Sequence, residues 1–240
     1  MISEKQKSEF LLRLGKWVTD DFAKKYENNI RKCSKLSEFK VNPLLLPFLS
    51  LTFTGNVDPE SLAKVLVYPR VLSTSITTTF GTGLQRFITD AWNEICGGSG
   101  LSGIDIEFTD QIEGGKKYAQ IKLGPNTINK DDVKTITDHF KGALNLSRTN
   151  NLKIKHEDLV VGVVYGKESE KNANLKKLDT EYTVLIGQDF WYHLTGDKDF
   201  YNEMKKTIFT SSEKICLKDD IEKAIKELSK SINKDRILSA

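Results

Sequence analysis

The sequence is poor in the features that mark several common classes of protein. Only three cysteines occur among its 240 residues, at positions 33, 96 and 216, and none forms a Cys-x-x-Cys pair. An odd and dispersed set argues against a disulfide framework and against a zinc ribbon. No stretch approaches the roughly 20 apolar residues that a membrane helix needs. The opening residues, MISEKQKSEF, also lack a long apolar run, so we expect no secretory signal and a cytoplasmic location.

Nucleotide-binding motifs are missing as well. No G-x-x-x-x-G-K-[ST] segment occurs, which leaves a P-loop NTPase unsupported. Residues 81–83 begin like a dinucleotide-binding loop, but Arg86 stands where the third glycine belongs. The three histidines show no metal-ligand spacing, and we expect them to pack on the surface or on helices: His139, His156 and His193.

The overall composition is that of an ordinary globular protein. Hydrophobic residues make up 38% of the chain and charged residues 29%, which argues against disorder. The net charge is only +3, from 36 basic and 33 acidic residues. Such a weak excess permits nucleic-acid binding without requiring it, because enzymes that enclose DNA can concentrate their basic residues in one cleft.

The hydrophobic pattern predicts an α/β (mixed α+β) fold with a central mixed sheet flanked by helices. Alternating or continuous apolar residues predict four strands, at 103–109, 118–123, 159–166 and 182–187. Helical spacing predicts helices at 4–32, 80–95, 219–232 and directly after the second strand. The third strand is almost wholly apolar, which is typical of a central strand covered on both faces.

The N-terminal third is predicted to be helical. VNPLLLPFLSL (41–51) contains two prolines, so we expect a buried loop or a short helix there. Asp58 and Pro59 predict a helix start, with the aspartate as N-cap. We therefore divide the chain into an N-terminal helical segment, 1–72, and a core, 73–240, together forming one compact domain.

The first two predicted strands carry polar residues that can take part in catalysis. Asp105 and Glu107 share one polar strand face, and Gln120 and Lys122 share another. If the strands pair across the Gly114-Gly115 turn, these faces coincide. A carboxylate there can hold magnesium, which prefers oxygen ligands, and a lysine can orient or deprotonate a water. This set suits phosphodiester hydrolysis.

In this order, the segments resemble the PD-(D/E)xK nuclease superfamily, and within it type II restriction endonucleases that cut interrupted GGNCC-like palindromes. The segments that carry the resemblance are VNPLLLPF (41–48), FGTGLQRFITDAW (80–92), GIDIEF (103–108), QIKLGP (120–125), LVVGVVYG (159–166) and QDFWYHL (188–194). The resemblance implies a restriction-endonuclease-like core.

The resemblance also implies residue roles. Asp105 would be the metal-binding aspartate and Lys122 the catalytic lysine. Gln120 takes the position of the usual Asp or Glu, where its carbonyl oxygen can ligate a metal without bringing charge. Glu107 is then the candidate for the missing charge. Ile104, rather than proline, precedes Asp105.

A site-specific, magnesium-dependent endonuclease acting on double-stranded DNA is the function that the resemblance implies. A homodimer is expected, because a palindrome is read most simply by a two-fold protein, and the N-terminal helices are the candidate interface. A methyltransferase of the same specificity would protect the host DNA. We also expect DNA contacts from the loop after the second strand, at Asn126, Thr127, Asn129 and Lys130, with an Asn-rich helix cap as the alternative.

Further candidates for DNA contact, and two other functions, stay open. The Ser/Thr tract at 73–79, Arg148 and Lys153 can meet the DNA backbone, or can be ordinary surface. The same core fits a modification-dependent, repair or junction-resolving nuclease. It also fits a non-catalytic DNA-binding protein with a decayed nuclease fold.

Overall fold

A computed structural model describes residues 2–149 and 153–233 of the chain. Its helices are α1 (Glu4–Lys16), α2 (Ala23–Lys32), α3 (Leu45–Thr54), α4 (Pro59–Pro69), α5 (Ser75–Cys96), α6 (Lys130–Thr149), α7 (Ala173–Asp179), α8 (Gln188–Thr195), α9 (Phe200–Ser212) and α10 (Lys218–Ser231). Its strands are β1 (Ile106–Thr109), β2 (Lys116–Lys122), β3 (Leu159–Val163) and β4 (Thr183–Ile186). The described helices include none that is long and apolar enough to cross a membrane.

The four strands form one mixed sheet in the order β1-β2-β3-β4. β1 pairs with β2 antiparallel, whereas β3 runs parallel to both β2 and β4. All five residues of β3 are buried, as expected for a central strand covered on both faces. The predicted mixed sheet flanked by helices is therefore confirmed. β1, β3 and β4 are shorter than the patterns suggested, whereas β2 begins two residues earlier than predicted.

The turn between β1 and β2 contains the two predicted glycines. Gly114 and Gly115 adopt φ angles of 77° and 84°, a region that favours glycine. Asp110 organises the same turn, because its carboxylate accepts hydrogen bonds from the backbone N–H groups of Ile112 and Glu113. His193 Nδ1 also lies 2.9 Å from Asp110 Oδ2, so this histidine has the packing role expected of it.

Contacts divide the described chain into two compact units. The sheet unit comprises residues 2–16 and 82–210, and the helical unit comprises residues 17–81 and 211–233. The N-terminal helix α1 therefore groups with the sheet, and the C-terminal helix α10 groups with α2 and α4. This grouping differs from the division at residue 72 that the sequence suggested.

In the sheet unit, α6 covers one face of the sheet. Ile136 and Phe140 of α6 and Val161 and Val163 of β3 belong to a single apolar cluster, and all four are fully buried. Such a cluster is what the 3.6-residue spacing of apolar positions in α6 predicts. On the opposite face, Phe190 of α8 packs against β3 at Gly162.

In the helical unit, α2, α4 and α10 share a core that includes Ile30, Leu62 and Leu228. Helix α4 begins as the sequence indicates: Asp58 caps it by accepting hydrogen bonds from the N–H groups of residues 60 and 61, and Pro59 follows.

Of the two alternatives predicted for residues 41–51, the short helix forms, as part of α3. Several of the large apolar side chains of α3 are exposed: Phe48 is 61% exposed and Phe53 is 75% exposed, whereas Leu46 is buried. Nearly every position of residues 41–51 is apolar, so the sequence pattern gives no information about which face points to a core.

Two glycines of the sheet unit give a matched test of this packing. A Cβ at Gly162 would lie 2.4 Å from Phe190 Cε2, whereas a Cβ at Gly142 in α6 would meet nothing within 4 Å. We expect Gly162→Ala to lower the free energy of unfolding by about 1–3 kcal/mol through overpacking. Gly142→Ala should raise it by about 0.5–1 kcal/mol, because alanine is the better helix former. Urea unfolding of both variants measures this, and equal effects would contradict the packing at β3.

Candidate active site

The register of β1 on β2 brings the predicted site residues to one place. Glu107 pairs with Tyr118, and directly opposed residues of an antiparallel pair face the same side of the sheet. Gln120 and Lys122 share the face of Tyr118, so the polar faces of β1 and β2 coincide there, as the sequence predicts. Asp105 precedes the first residue of β1, and its N–H donates to Ala119 O at 2.9 Å. Since Ala119 pairs with Ile106, two residues of this strand lie opposite one of β2, as in a β-bulge.

The Asp105 carboxylate is anchored on β2 by one of its two oxygens. Oδ2 accepts a hydrogen bond from Ile121 N at 2.6 Å. Burial raises the pKa of this carboxyl above its ordinary value, although the Ile121 N–H and the charges of Lys122 and His139 act in the opposite direction. The ionised carboxylate is thus under-solvated, which is the condition under which a bound cation stabilises it most.

Gln120 is buried, and its amide is held by two neighbours. Nε2 donates to Gly103 O and lies 2.5 Å from His139 Nδ1. Those contacts use the nitrogen of the amide and leave the oxygen, Oε1, available as a ligand. The orientation of a glutamine amide is inferred from such partners, and here the Gly103 carbonyl, which can only accept, places the amide nitrogen.

His139 is a site residue that the sequence analysis missed. It was expected to pack on a helix or at the surface, and its ring does pack against Gly103. It also contacts the amide of Gln120 from α6. The signal available in the sequence was helical spacing: His139 follows Asp132 by seven residues, so both lie on one face of a helix that comes directly after β2.

Lys122 lies on the same sheet face as Gln120, two residues further along β2. Its Nζ is 2.6 Å from Asp132 Oδ1 in the first turn of α6. The pKa of Asp132 is lowered: burial acts to raise it, but the Asn129 N–H and Lys122 outweigh this effect. Asp132 is an acidic residue of this region that the sequence analysis did not identify.

Glu107 lies on the sheet face of Gln120 and has partners different from those of Asp105. Lys116 forms an ion pair with it, and Ser99 Oγ donates to its Oε1 at 2.8 Å. Burial alone would raise the pKa of Glu107, but these two partners lower it below its ordinary value. The carboxylate that was expected to replace the missing second acid is therefore already neutralised by a neighbouring lysine.

The loop after β2 caps helix α6. Asn129 and Asp132 form a reciprocal cap, in which each side chain accepts the backbone N–H of the other at 2.9 and 3.0 Å. Thr127 Oγ1 donates to Gly124 O at 2.7 Å. Asn126 and Lys130 are exposed. Of the four residues expected to contact DNA, Asn129 therefore caps α6, and Thr127 closes the turn that precedes the helix.

The other residues considered for DNA contact belong to other segments of the chain. Most of the Ser/Thr tract at 73–79 is helical, and Asn29 Nδ2 donates to Thr79 Oγ1 at 3.1 Å. The side chains of Thr74 and Ser75 lie outside the described residues. Arg148 is in the last turn of α6 and is exposed, as is Lys153.

A comparison with protein-family models decides the family. The model described as type II restriction endonuclease EcoO109I matches residues 13–215, which is most of the chain. The chain belongs to the EcoO109I family of type II restriction endonucleases. A search of curated proteins returned no match.

Membership of the EcoO109I family confirms the resemblance to PD-(D/E)xK nucleases and the predicted enzyme class. The protein is a site-specific deoxyribonuclease, a hydrolase of phosphodiester bonds in DNA. The family acts on double-stranded DNA, is often dimeric and generally uses Mg²⁺. Neither alternative, a nuclease of another type or a non-catalytic DNA-binding protein, gains support.

The donor set around Asp105 fits a hard divalent cation. Within residues 2–149 and 153–233, no group of three or more His, Cys, Asp or Glu side chains is placed to hold a metal ion. The candidate ligands at Asp105 are therefore its own carboxylate oxygen that does not bind Ile121 N and the amide oxygen of Gln120. Magnesium is commonly held by one or two protein oxygens and keeps several waters, so this small set suits it.

Removing the buried charge of Asp105 should stabilise the metal-free protein. Because the pKa of Asp105 is raised on folding, the ionised form destabilises the fold, and stability is lost as the pH rises through the folded-state pKa. Asp105→Asn keeps an oxygen to accept from Ile121 N and removes the charge. We expect Asp105→Asn to have a higher melting temperature than wild type at pH 7 in EDTA. The difference in melting temperature between the two proteins should narrow as the pH falls towards about 4.

Thermal unfolding across this pH range measures the effect. Glu113→Gln, an equal change of charge in the exposed hairpin loop, serves as the control and should leave the melting temperature unchanged. A melting temperature of Asp105→Asn at or below that of wild type at pH 7 would contradict the buried environment of this carboxylate.

Proposed function

We propose that Asp105, Gln120 and Lys122 form the catalytic centre of a magnesium-dependent restriction endonuclease. The observation that carries this proposal is the hydrogen bond from Ile121 N to Asp105 Oδ2. It joins the aspartate to the middle residue of the Gln120-Ile121-Lys122 segment, which supports a common site for the three side chains. Charge from Lys122 reaches the same carboxylate.

Each residue has a distinct task in this centre. Asp105 and Gln120 would hold the cation through their free side-chain oxygens, and we retain Glu107 as a weaker candidate ligand because Lys116 already occupies it. Magnesium, when bound there, would supply an acidified water and stabilise charge on the phosphate. Lys122, whose ammonium is paired with Asp132, would orient the attacking water and neutralise charge that develops on the phosphate oxygens.

We further propose that the substrate is an interrupted, GGNCC-like palindrome in double-stranded DNA, with a methyltransferase of matching specificity to protect the host. Asn126 and Lys130 are exposed and follow the catalytic strand within a few residues, which suits contacts with bases and phosphates. Thr127 and Asn129 shape the same loop through their internal hydrogen bonds and can meet DNA through their remaining polar atoms.

Digestion of a long DNA of known sequence with Mg²⁺, followed by mapping of the ends, tests this function. Discrete cuts at one palindrome support the proposal. Cleavage only of methylated or branched DNA would instead indicate a modification-dependent or junction-resolving nuclease. Binding without any cleavage would indicate a decayed nuclease.

Alanine substitutions test the catalytic centre. Asp105→Ala and Lys122→Ala should each lower the cleavage rate by at least about a hundredfold, because each removes a charged group that acts on the transition state. DNA binding, measured by gel shift with Ca²⁺ in place of Mg²⁺, should be retained. Lys141→Ala, an exposed lysine of α6, is the matched control. Full activity of either site variant would refute the assignment.

The glutamine needs its own test. Gln120→Glu should keep measurable activity and change the preference between Mg²⁺ and Mn²⁺, because it places a charged oxygen where the neutral amide stands. Normal cleavage by Gln120→Ala would show that the amide is not a ligand.

We also propose that the helical unit provides the homodimer interface. Leu44, Phe48 and Leu51 are each more than half exposed, and their i, i+4, i+7 spacing in or next to α3 puts them on one side of the helix. Grouped exposed apolar side chains of this kind mark protein–protein interaction sites. A two-fold DNA sequence calls for a second copy of the chain, and burying this patch between two copies would shield it.

A single charge on α3 should therefore weaken dimerisation. We expect Phe48→Glu to shift the protein towards monomer in analytical ultracentrifugation, because the carboxylate cannot be buried unpaired. Phe209→Glu is the control: this phenylalanine is 67% exposed on α9, outside the helical unit. Unchanged dimerisation of Phe48→Glu would rule out this face.

A further inference from the structure

The ammonium group of Lys122 is held by a carboxylate from another element. Its Nζ lies 2.6 Å from Asp132 Oδ1, and only 21% of the lysine side chain and 25% of the aspartate side chain is exposed. This contact spans from β2 to the first turn of α6. It differs in this respect from the exposed i,i+4 pairs on the helices, such as Glu60–Lys64. Partial burial makes it less subject to screening by solvent.

Asp132 is itself fixed in orientation. Its Oδ2 accepts from Asn129 N at 3.0 Å, and its own N–H donates to Asn129 Oδ1 at 2.9 Å. Each carboxylate oxygen therefore has a separate partner: one caps the helix and the other binds Lys122. A helix cap places a side chain with little rotational freedom, so the lysine is tied to a rigid point.

A lysine on a strand needs a fixed partner for its ammonium group if it is to act on a water molecule. Its four-carbon stem is flexible, and the cost of misplacing a catalytic group is steep. Glu107 is paired with Lys116, and the Asp105 carboxylate feels the charge of Lys122 but accepts its hydrogen bond from Ile121 N. Among the described acids, Asp132 is the one with an ion pair to Lys122 Nζ.

We propose that Asp132 is the positioning residue for Lys122: the carboxylate that caps α6 also holds the catalytic ammonium beside the Asp105–Gln120 pair. This inference rests on the proposed catalytic role of Lys122. It assigns to Asp132 no contact with DNA or metal, and it predicts an effect on turnover rather than on substrate affinity.

The test compares three variants at two neighbouring positions. Asp132→Asn retains an oxygen to cap α6 and removes the charge that holds Lys122. Asp131→Asn removes the same charge from the same helical turn, at an exposed position. Asp132→Glu restores the charge one methylene further out. All are measured in steady-state cleavage of cognate DNA with Mg²⁺, with circular dichroism to verify folding.

We expect Asp132→Asn to lower kcat by about ten- to a hundredfold, as misplacement of a catalytic group does, with KM unchanged. Asp131→Asn should cleave like wild type, and Asp132→Glu should recover part of the rate. A folded Asp132→Asn with wild-type kcat overturns the inference, and so does an equal loss in Asp131→Asn, which would indicate a general charge effect at the helix end.

Lys122→Ala, measured beside these variants, separates this inference from the proposed function. If Lys122→Ala retains full activity, the catalytic assignment of Lys122 fails and the inference fails with it. If Lys122→Ala is inactive while Asp132→Asn has wild-type kcat, the catalytic assignment stands and only the positioning role of Asp132 is refuted.

Discussion

The pairing of Asp105 with β2 is the interaction on which the rest of the site depends. Two hydrogen bonds hold the aspartate there, one from its own N–H to Ala119 O and one from Ile121 N to its carboxylate. Side chains alternate along a strand, so a slip of one residue would turn Gln120 and Lys122 to the opposite face. That slip would also expose Ile121 and Ala119, which are fully buried. The apolar core therefore enforces the geometry of the catalytic face.

Helix α6 combines two physical tasks along its length. Its middle packs Ile136 and Phe140 into the core of the sheet unit. Its first turn and one exposed position bring Asp132 and His139 to Lys122 and Gln120. The loop that joins β2 to this helix is short and closed by a reciprocal cap. Any movement of α6 would therefore displace the partners of Lys122 and Gln120, two of the three proposed catalytic residues. The packing of this helix thus contributes to the function.

The missing second acid of the catalytic segment has a structural counterpart. Glutamine at position 120 brings no charge, and the nearest acid on the same sheet face, Glu107, is neutralised by Lys116. A further acidic residue near the site, Asp132, comes from the following helix. Its carboxylate binds the ammonium group of Lys122 and is not placed where a metal would bind. In this arrangement Gln120 can be a neutral ligand while Lys122 is held by an acid, because that acid comes from α6 and not from β2.

Local periodicity determined much of this protein. Alternation along 103–109 and 118–123 gave the two polar faces, the glycines at 114 and 115 placed the turn between them, and the apolar run at 159–166 marked the central strand. Only the tertiary structure decided the partners of these side chains. Asp132 and His139 are separated from β2 by a loop whose course no residue pattern fixes, and α3 is apolar on all sides, so its exposure depends on what packs against it. The sequence determines which face of its own helix or strand a side chain occupies. The residue that it contacts on another element depends on how the two elements pack together.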